Sequence, residues 1–395
     1  MSLSLISALA LGLICWTLPA TFILLSRLLK GAFRLPPLTP RESTIEGSGT
    51  VSIVIPTLNE VKRLSPCLQG LSQQGGEVRE ILVVDSNSRD GTRELVKNIQ
   101  TSETSPKPLL LTDPTLPPDW VGRPWALDYG FRQSSPESEW VLGLDADTQP
   151  QPGLVASLVE IAGRENYDLI SLSPQFILHY PGEWWLQPAL LTTLLYRFNP
   201  SGSDASTPER VMANGQCFFC RRSVLAAVGG YECAKASFCD DVTLARFIAA
   251  RGYKVGFLDG KGVLKVRMYE GAKETWQEWG RSLDLKDASS LGQIWGDVWL
   301  LSAVQGFPLP VLLGLGSAWL WGDRTLVIAL AIALNLFLVL LRWLILMAIA
   351  PSYAGVSKTL ASWLFWLSPL ADILAVSRIF LSSLQKPKQW RGRVY

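Results

Sequence analysis

The 395-residue chain contains a single histidine, His179, and carries a net charge of only +2. Catalysis by histidine would depend on that one residue. It lies in the run PQFILHY without a partner motif, which favours a structural or surface role. A charge this small, with Lys and Arg dispersed along the chain, gives no large basic field. The sequence therefore predicts no nucleic-acid partner.

The six cysteines lack the spacing of a zinc site. Cys217 and Cys220 form a C-x-x-C pair, but they bracket two phenylalanines in a strand-like run. Cys233 and Cys239, the next pair, do not have ligand spacing. We expect reduced thiols in a packed core.

The N-terminus lacks the basic n-region and the small-residue cleavage site of a signal peptide. Residues 4–29 are almost uncharged and long enough to cross a hydrocarbon core of ~30 Å. Arg27, Lys30 and Arg34 then place the following chain on the cytoplasmic side by the positive-inside rule. We therefore expect an integral membrane protein with a retained anchor over residues 1–35, a Pro- and Ser-containing linker over residues 36–50, and a cytoplasmic catalytic domain.

Apolar strand patterns alternate with amphipathic helical stretches between residues 51 and 265. This alternation predicts an α/β domain with a mostly parallel sheet covered by helices on both faces. The strand patterns cover residues 51–57, 80–85, 108–112, 140–145 and 168–173. Residues 184–198 are apolar and aromatic, and a core helix and an interfacial helix both remain open for them.

The C-terminal third is again apolar. A Trp-rich amphipathic segment over residues 266–298 precedes membrane helices over residues 299–384 and a basic tail over residues 385–395. The last apolar run contains Asp372 and Arg378, which are costly at the centre of a bilayer. A further full span would also place the basic tail outside. We therefore expect the final segment to be re-entrant or interfacial.

Carboxylates follow the strand patterns. Asp85, Asp145 and Asp147 come where apolar runs end, and ligands of parallel sheets bind at such ends. Magnesium or manganese is commonly held by one or two carboxylates together with diphosphate oxygens. The D-x-D pair therefore predicts a divalent metal site, against the alternative of a solvated turn. Asp85 is expected to face a base or ribose, while the nearby Asp90 caps the next helix.

Asp240 and Asp241 open a predicted helix, and because they are adjacent, their side chains point in different directions. One is expected to orient the helix and the other to act as a general base. Arg123 precedes another helix and is a candidate to grip a diphosphate. Its neighbour Trp125 has plain core packing as an alternative role.

In order and approximate spacing, VSIVIPTLNE, VVDSNSRDGT, the DAD, NGQCFFCRRSVLAAVGGY and CDDVTLA resemble the family 2 glycosyltransferases with a GT-A fold. The resemblance implies inverting, metal-dependent sugar transfer from a nucleotide-diphosphate sugar, with Asp241 as the base. It implies a metal held by Asp145 and Asp147 and a donor site formed by Pro56, Asn59, Glu60, Asp85, Arg123 and Asp145. It implies an acceptor region that contains Gly215, Gln216, Asp240, Trp276, Trp279 and Arg281.

WVGRPWAL, ETWQEWGRSLDLKD and WRGRVY are similar to a membrane branch that glycosylates carotenoids, in particular to carotenoid 2'-O-glycosyltransferases. This implies a lipid acceptor, with the 2'-hydroxyl of a myxol-type carotenoid as the first expectation. The Gln-x-x-Arg-Trp signature of processive synthases is absent, which favours transfer of a single sugar. The alternatives are a polyprenyl-phosphate or hopanoid glycosyltransferase and a catalytically silent membrane scaffold.

Overall fold

The computed structural model describes residues 5–43, 49–101, 108–205, 207–282, 285–384, 389–390 and 393–394. The strands are β1 (Val51–Thr57), β2 (Val78–Asp85), β3 (Pro108–Thr112), β4 (Trp140–Leu144), β5 (Thr148–Pro150), β6 (Leu169–Ser173), β7 (Gln175–Ile177), β8 (Cys217–Arg221), β9 (Val255–Asp259), β10 (Leu264–Val266), β11 (Tyr353–Ala354), β12 (Gln389–Trp390) and β13 (Arg393–Val394). The helices are α1 (Leu5–Leu29), α2 (Val61–Leu71), α3 (Thr92–Gln100), α4 (Gly122–Gln133), α5 (Leu154–Glu165), α6 (Pro181–Arg197), α7 (Arg222–Ala227), α8 (Asp240–Ala249), α9 (Gly271–Ser282), α10 (Leu291–Leu301), α11 (Pro308–Leu320), α12 (Leu326–Ile349) and α13 (Asp372–Leu384).

The contacts divide the chain into two compact units. The sheet unit comprises Phe33–Ile177, Ser201–Met268 and Pro387–Tyr395, and the apolar-helix unit comprises Met1–Ala32, Leu178–Pro200 and Tyr269–Lys386. The domain boundaries expected from the sequence remain predictions.

A seven-stranded sheet in the order β3-β2-β1-β4-β8-β6-β9 forms the centre of the sheet unit. All its strands run in one direction except β8, which is antiparallel to both neighbours. This is the mostly parallel, helix-covered sheet expected of a GT-A fold, and the predicted fold class is confirmed. A smaller sheet pairs β10 with β5 and β7.

Both faces of the large sheet are buried, each in its own hydrophobic core. Successive side chains of a strand point to opposite faces and therefore enter different cores. Ile53 and Ile55 of β1 enter one core, which includes Leu64 of α2, whereas Val54 enters the other, which includes Leu127 of α4. Strands buried on both faces read as continuous apolar runs, and this is why their positions were predictable. Cys217 and Cys220 lie in β8 with buried thiols whose pKa is raised by burial, as expected of core cysteines.

The apolar-helix unit contains the helices that are suited to a bilayer. Within the described residues, three helical segments are long and apolar enough to cross a membrane: Leu5–Phe33, Leu326–Ser352 and Leu360–Leu384. The helices Leu291–Gly306 and Pro308–Leu320 are bent by 49° relative to each other. Taken together, they are also long and apolar enough to cross a membrane. Helix α6 buries Trp184 and Tyr196, which favours core packing for this segment. His179, just before α6, is exposed.

A buried ion pair joins two apolar helices in this unit. Arg342 of α12 contacts Asp372 at the start of α13 with an Nε to Oδ2 distance of 2.9 Å. Gln305 also donates to Asp372 at 2.9 Å. The sequence indicated that the charge of Asp372 would make a full span unfavourable. In the structure, this negative charge is paired with the positive charge of Arg342. Whether Leu360–Leu384 crosses the bilayer or re-enters it stays a prediction.

Candidate functional site

Asp85 ends β2 as predicted and lies in register with Thr57, the last residue of β1. Its side chain is fully buried. The carboxylate accepts a hydrogen bond from the Ser88 backbone N–H at 3.0 Å and one from the Thr57 hydroxyl at 3.3 Å. These contacts fix Asp85 at the carboxyl edge of the sheet, where the loops after β1 and β2 meet.

The loop after β1 is tied to the loop after β2. Asn59 has a φ of +58°, its backbone N–H donates to Ser88 Oγ at 2.8 Å, and its Oδ1 accepts from the Arg89 N–H at 2.9 Å. Asparagine tolerates this left-handed conformation better than most residues. Glu60 directly precedes α2 and is buried, as is Pro56 within β1. The predicted donor residues Pro56, Asn59, Glu60 and Asp85 therefore share one region of the sheet edge.

Asp90 has the capping role expected of it. Its Oδ1 accepts from the Thr92 N–H at 3.0 Å, and its Oδ2 accepts from the Val61 N–H at 3.0 Å. Burial raises the pKa of Asp90, but the hydrogen bonds from Thr92 and Val61 together outweigh it, so the pKa is lowered from its usual value. One carboxylate thus accepts hydrogen bonds from the first N–H groups of two helices, α2 and α3.

Asp145 and Asp147 form a tight turn after β4. The Asp145 carbonyl accepts from Thr148 through the backbone N–H at 3.1 Å and the hydroxyl at 2.7 Å. Ala146 is buried between the two acids, both of which are partly exposed. The turn therefore presents two carboxylates next to each other at the strand end.

Arg123, the second residue of α4, joins three distant parts of the site. Its Nε donates to Asp145 Oδ1 at 2.9 Å, its Nη2 donates to the Gly215 carbonyl at 2.8 Å, and its Nη1 contacts Asp240 Oδ2. The guanidinium engages protein acceptors through each of its nitrogens. Arg123 was expected to grip a diphosphate, and its role as a link between acids was not anticipated. Trp125, two residues further along α4, is half-buried and packs edge-on against Trp120.

Asp240 and Asp241 form the first turn of α8 and point to different partners, as predicted. Asp240 is buried against Arg123, whereas Asp241 is partly exposed. Asp241 Oδ2 accepts from the Gly215 N–H at 2.5 Å, and Oδ1 accepts from the Val242 N–H at 2.9 Å. Burial and the charge of Asp240 raise the pKa of Asp241 to about 7, against the opposing charge of Arg123. The group therefore titrates near neutral pH.

Gly215 connects the two halves of this network because its N–H faces Asp241 and its carbonyl faces Arg123. A Cβ at position 215 would lie 2.2 Å from Arg123 Nη2, so a larger residue there would displace the guanidinium. The next residue, Gln216, is buried and accepts from Asn214 Nδ2 at 2.8 Å. Asn214 is anchored to Ser171 of β6 in turn. Sequence reasoning missed Asn214 and Ser171, since their pairing depends on the sheet order.

Trp276 and Trp279 belong to the apolar-helix unit. Trp279 is buried beside Tyr269, and the Trp276 carbonyl accepts from Arg378 Nε at 2.8 Å. Arg281 lies in α9, and its side chain is outside the described residues. The acceptor role expected of these three residues stays a prediction.

The donor set at Asp145 and Asp147 fits a divalent cation. Carboxylate oxygens are the ligands that Mg²⁺ and Mn²⁺ prefer, and Mg²⁺ usually retains water and substrate phosphate oxygens in its shell. Among the described side chains, groups of three or more His, Cys, Asp or Glu that are arranged to hold a metal are absent. Asp145 and Asp147 would hold a metal at this turn, with water or substrate oxygens as its other ligands.

Residues 52–229 match the family model described as glycosyl transferase family 2. The chain carries a family 2 glycosyltransferase domain. Over 267 residues, this glycosyltransferase is 26% identical to 4,4'-diaponeurosporenoate glycosyltransferase of Staphylococcus haemolyticus, with 66% of the chain and 69% of the relative covered. It is 28% identical to glycosyltransferase AglE of Haloferax volcanii over 32% of the chain, and the match spans only 40% of that relative.

Among solved structures, the chain is similar to the mannosyltransferase PcManGT of Pyrobaculum calidifontis in complex with GDP-Man and Mn²⁺. The identity is 17% and the TM-score 0.48, over 96% of this chain and 99% of that one.

Proposed function

We propose that the protein transfers one sugar, with inversion, from a nucleotide-diphosphate sugar to a hydroxyl group of a membrane lipid. The acceptor we favour is a carotenoid, with the 2'-hydroxyl of a myxol-type carotenoid as the first candidate. The observation that carries this proposal is the geometry of Asp241. Its two oxygens are held by backbone N–H groups, and its pKa of about 7 suits a general base.

In the proposed mechanism, Asp241 accepts the proton of the acceptor hydroxyl as that oxygen attacks the anomeric carbon. The bond between the anomeric carbon and the diphosphate oxygen breaks, and the diphosphate leaves with the bonding electron pair. Attack from the opposite face inverts the configuration. The N–H groups of Gly215 and Val242 hold the carboxylate in one orientation without neutralising it.

The donor is proposed to bind along the carboxyl edge of the sheet. Asp85, Asn59, Glu60 and Pro56 would face the nucleoside, because acids at this edge suit a base or ribose. Asp145 and Asp147 would hold the divalent cation. When bound, Mg²⁺ or Mn²⁺ would neutralise the charge that develops on the leaving diphosphate.

A lipid acceptor is supported by the apolar helices and by the staphylococcal relative, which is named for a carotenoid substrate. We propose that the apolar helices lie in the membrane and that the catalytic domain faces the cytoplasm, in keeping with Arg27, Lys30 and Arg34 after the first helix. Trp276, Trp279 and Arg281 are proposed to contact the acceptor, because Trp and Arg suit an interfacial substrate.

A second candidate acceptor group is a carboxylate, since the name of the relative denotes a carotenoid acid. A carboxylate acceptor is already ionised at neutral pH and needs no base. The position and raised pKa of Asp241 favour the hydroxyl over the carboxylate.

Labelled product chemistry tests the proposal. The purified full-length protein would be incubated with radiolabelled nucleotide sugars and lipid extract, and the organic phase would be treated with mild alkali. We expect alkali-stable label on a neutral lipid. Alkali-labile label would identify a carboxylate acceptor, and label on an acidic lipid would identify a phosphate acceptor. Either result would refute the hydroxyl, and absence of label with every sugar would oppose the transfer reaction itself.

A further inference from the structure

Arg123 occupies one oxygen of Asp145, the first acid of the D-x-D turn. Its Nε lies 2.9 Å from Asp145 Oδ1, and its Nη2 is also within 2.9 Å of the same oxygen. The Arg123 side chain is only 13% exposed. The positive charge is therefore fixed beside the first acid of the D-x-D turn and little screened by solvent.

A divalent cation bound at Asp145 Oδ1 would share that oxygen with the guanidinium of Arg123. Mg²⁺ approaches its oxygen ligands to about 2.0–2.1 Å, so it would meet the Arg123 charge at short range. Like charges juxtaposed in this way are strongly unfavourable. Binding of the metal through Asp145 Oδ1 therefore requires the guanidinium to withdraw from that oxygen.

The structure offers Arg123 a second anion. Asp240 Oδ2 contacts Nη1, and the Gly215 carbonyl accepts from Nη2 at 2.8 Å. A guanidinium that leaves Asp145 thus keeps an ion pair and a hydrogen bond. Its charge then acts on the Asp240 and Asp241 pair alone, where it favours ionised Asp241.

We propose that Arg123 is a resident cation that holds Asp145 until a divalent metal displaces it toward Asp240. Arrival of the metal at the D-x-D turn would in this way prepare the acid pair of α8 for the base role. The inference rests on the proposed function, because it takes Asp145 as a metal ligand and Asp241 as the base. Arg123 acts through these acids and is a positioning residue.

The test measures binding of Mn²⁺ alone to the full-length protein in detergent, by the EPR signal of free Mn²⁺. Arg123→Gln removes the competing charge, and its Kd for Mn²⁺ is expected to fall by at least about 10-fold. Arg132→Gln is the matched control. Arg132 is on the same helix and pairs with Asp128 instead, so its Kd should equal that of the unsubstituted protein. An unchanged or higher Kd in Arg123→Gln would overturn the proposal.

Arg123→Lys decides the question if Arg123→Gln does not fold, as judged by circular dichroism. Lysine keeps the charge but cannot contact three separate acceptors through a planar fork. We expect a Kd lower by about 3-fold, and a Kd equal to or above that of the unsubstituted protein would contradict competition. Failure of this proposal can be distinguished from failure of the proposed function. If the protein did not glycosylate a lipid, the Mn²⁺ affinities of these variants would be unaltered.

Discussion

The backbone N–H of Gly215 lies 2.5 Å from Asp241 Oδ2, while the carbonyl of the same residue accepts from Arg123 at 2.8 Å. One peptide segment thus orients the proposed base and the cation that modulates it. Because Arg123 also contacts Asp145, the base and the proposed metal site share a single hydrogen-bonded network.

Sugar transfer should depend on pH through the ionisation of Asp241. A base must be deprotonated to act, and the pKa of Asp241 is raised to about 7 by burial and by Asp240. We therefore expect kcat/KM to fall about tenfold for each pH unit below that value and to level off above it. Initial rates between pH 5 and about pH 9 would show this. A rate that is constant down to pH 5 would exclude a base with this pKa.

Asp240→Asn should move this profile. The charge of Asp240 raises the pKa of Asp241, so its removal lowers that pKa and shifts the acid limb to lower pH. The same change removes one of the anions that Arg123 pairs with. The charge of Arg123 then acts more strongly on Asp241 and also lowers its pKa. Profiles normalised to their plateau separate this shift from any loss of rate. An acid limb that stays in place or moves to higher pH would contradict the coupling of the two acids.

Gly215→Ala should impair transfer without unfolding the domain. The added Cβ would lie 2.2 Å from Arg123 Nη2 and 2.7 Å from Cζ, so the guanidinium must shift. We expect kcat to fall about 10- to 100-fold, since misplacement by about 1 Å can cost this much. Gly163→Ala in α5 is the control, because its Cβ would meet nothing within 4 Å. Equal rates in both variants would show that the Arg123 position is unimportant.

Much of the sheet unit follows from the sequence. Strands buried on both faces give continuous apolar runs, so the strand ends and the acids that follow them could be placed before the structure was known. Helix boundaries are harder to predict: α2 spans Val61–Leu71, with Glu60 as its N-cap. Loop residues at helix ends carry no periodicity that would fix such limits.

The Arg123 contacts could not be predicted in the same way. Arg123 is 117 residues from Asp240 and 92 from Gly215, and its choice of partner depends on strand order and rotamer. The same holds for Arg342 and Asp372, which lie 30 residues apart on different helices. Apolar composition likewise left α6 open between core and interface, because both environments favour the same residues.

Arg342→Leu should destabilise the apolar-helix unit more than the double change Arg342→Leu with Asp372→Leu. The single change leaves a buried carboxylate without its ion partner, and losing one partner of a buried pair costs about 3–5 kcal/mol. Thermal unfolding in detergent would rank the two variants. A double variant as unstable as the single one would contradict a direct pairing of these charges.

Asp241 is the proposed base for a lipid hydroxyl, and Asp241→Asn tests this role most directly. Transfer of labelled sugar to lipid should fall by at least about 100-fold, while the Kd of the nucleotide sugar stays nearly unchanged. Asp168→Asn is the matched control, because Asp168 precedes β6 and its carboxylate accepts from the Lys254 N–H, so it should retain full activity. Near-normal transfer by Asp241→Asn would contradict the assignment.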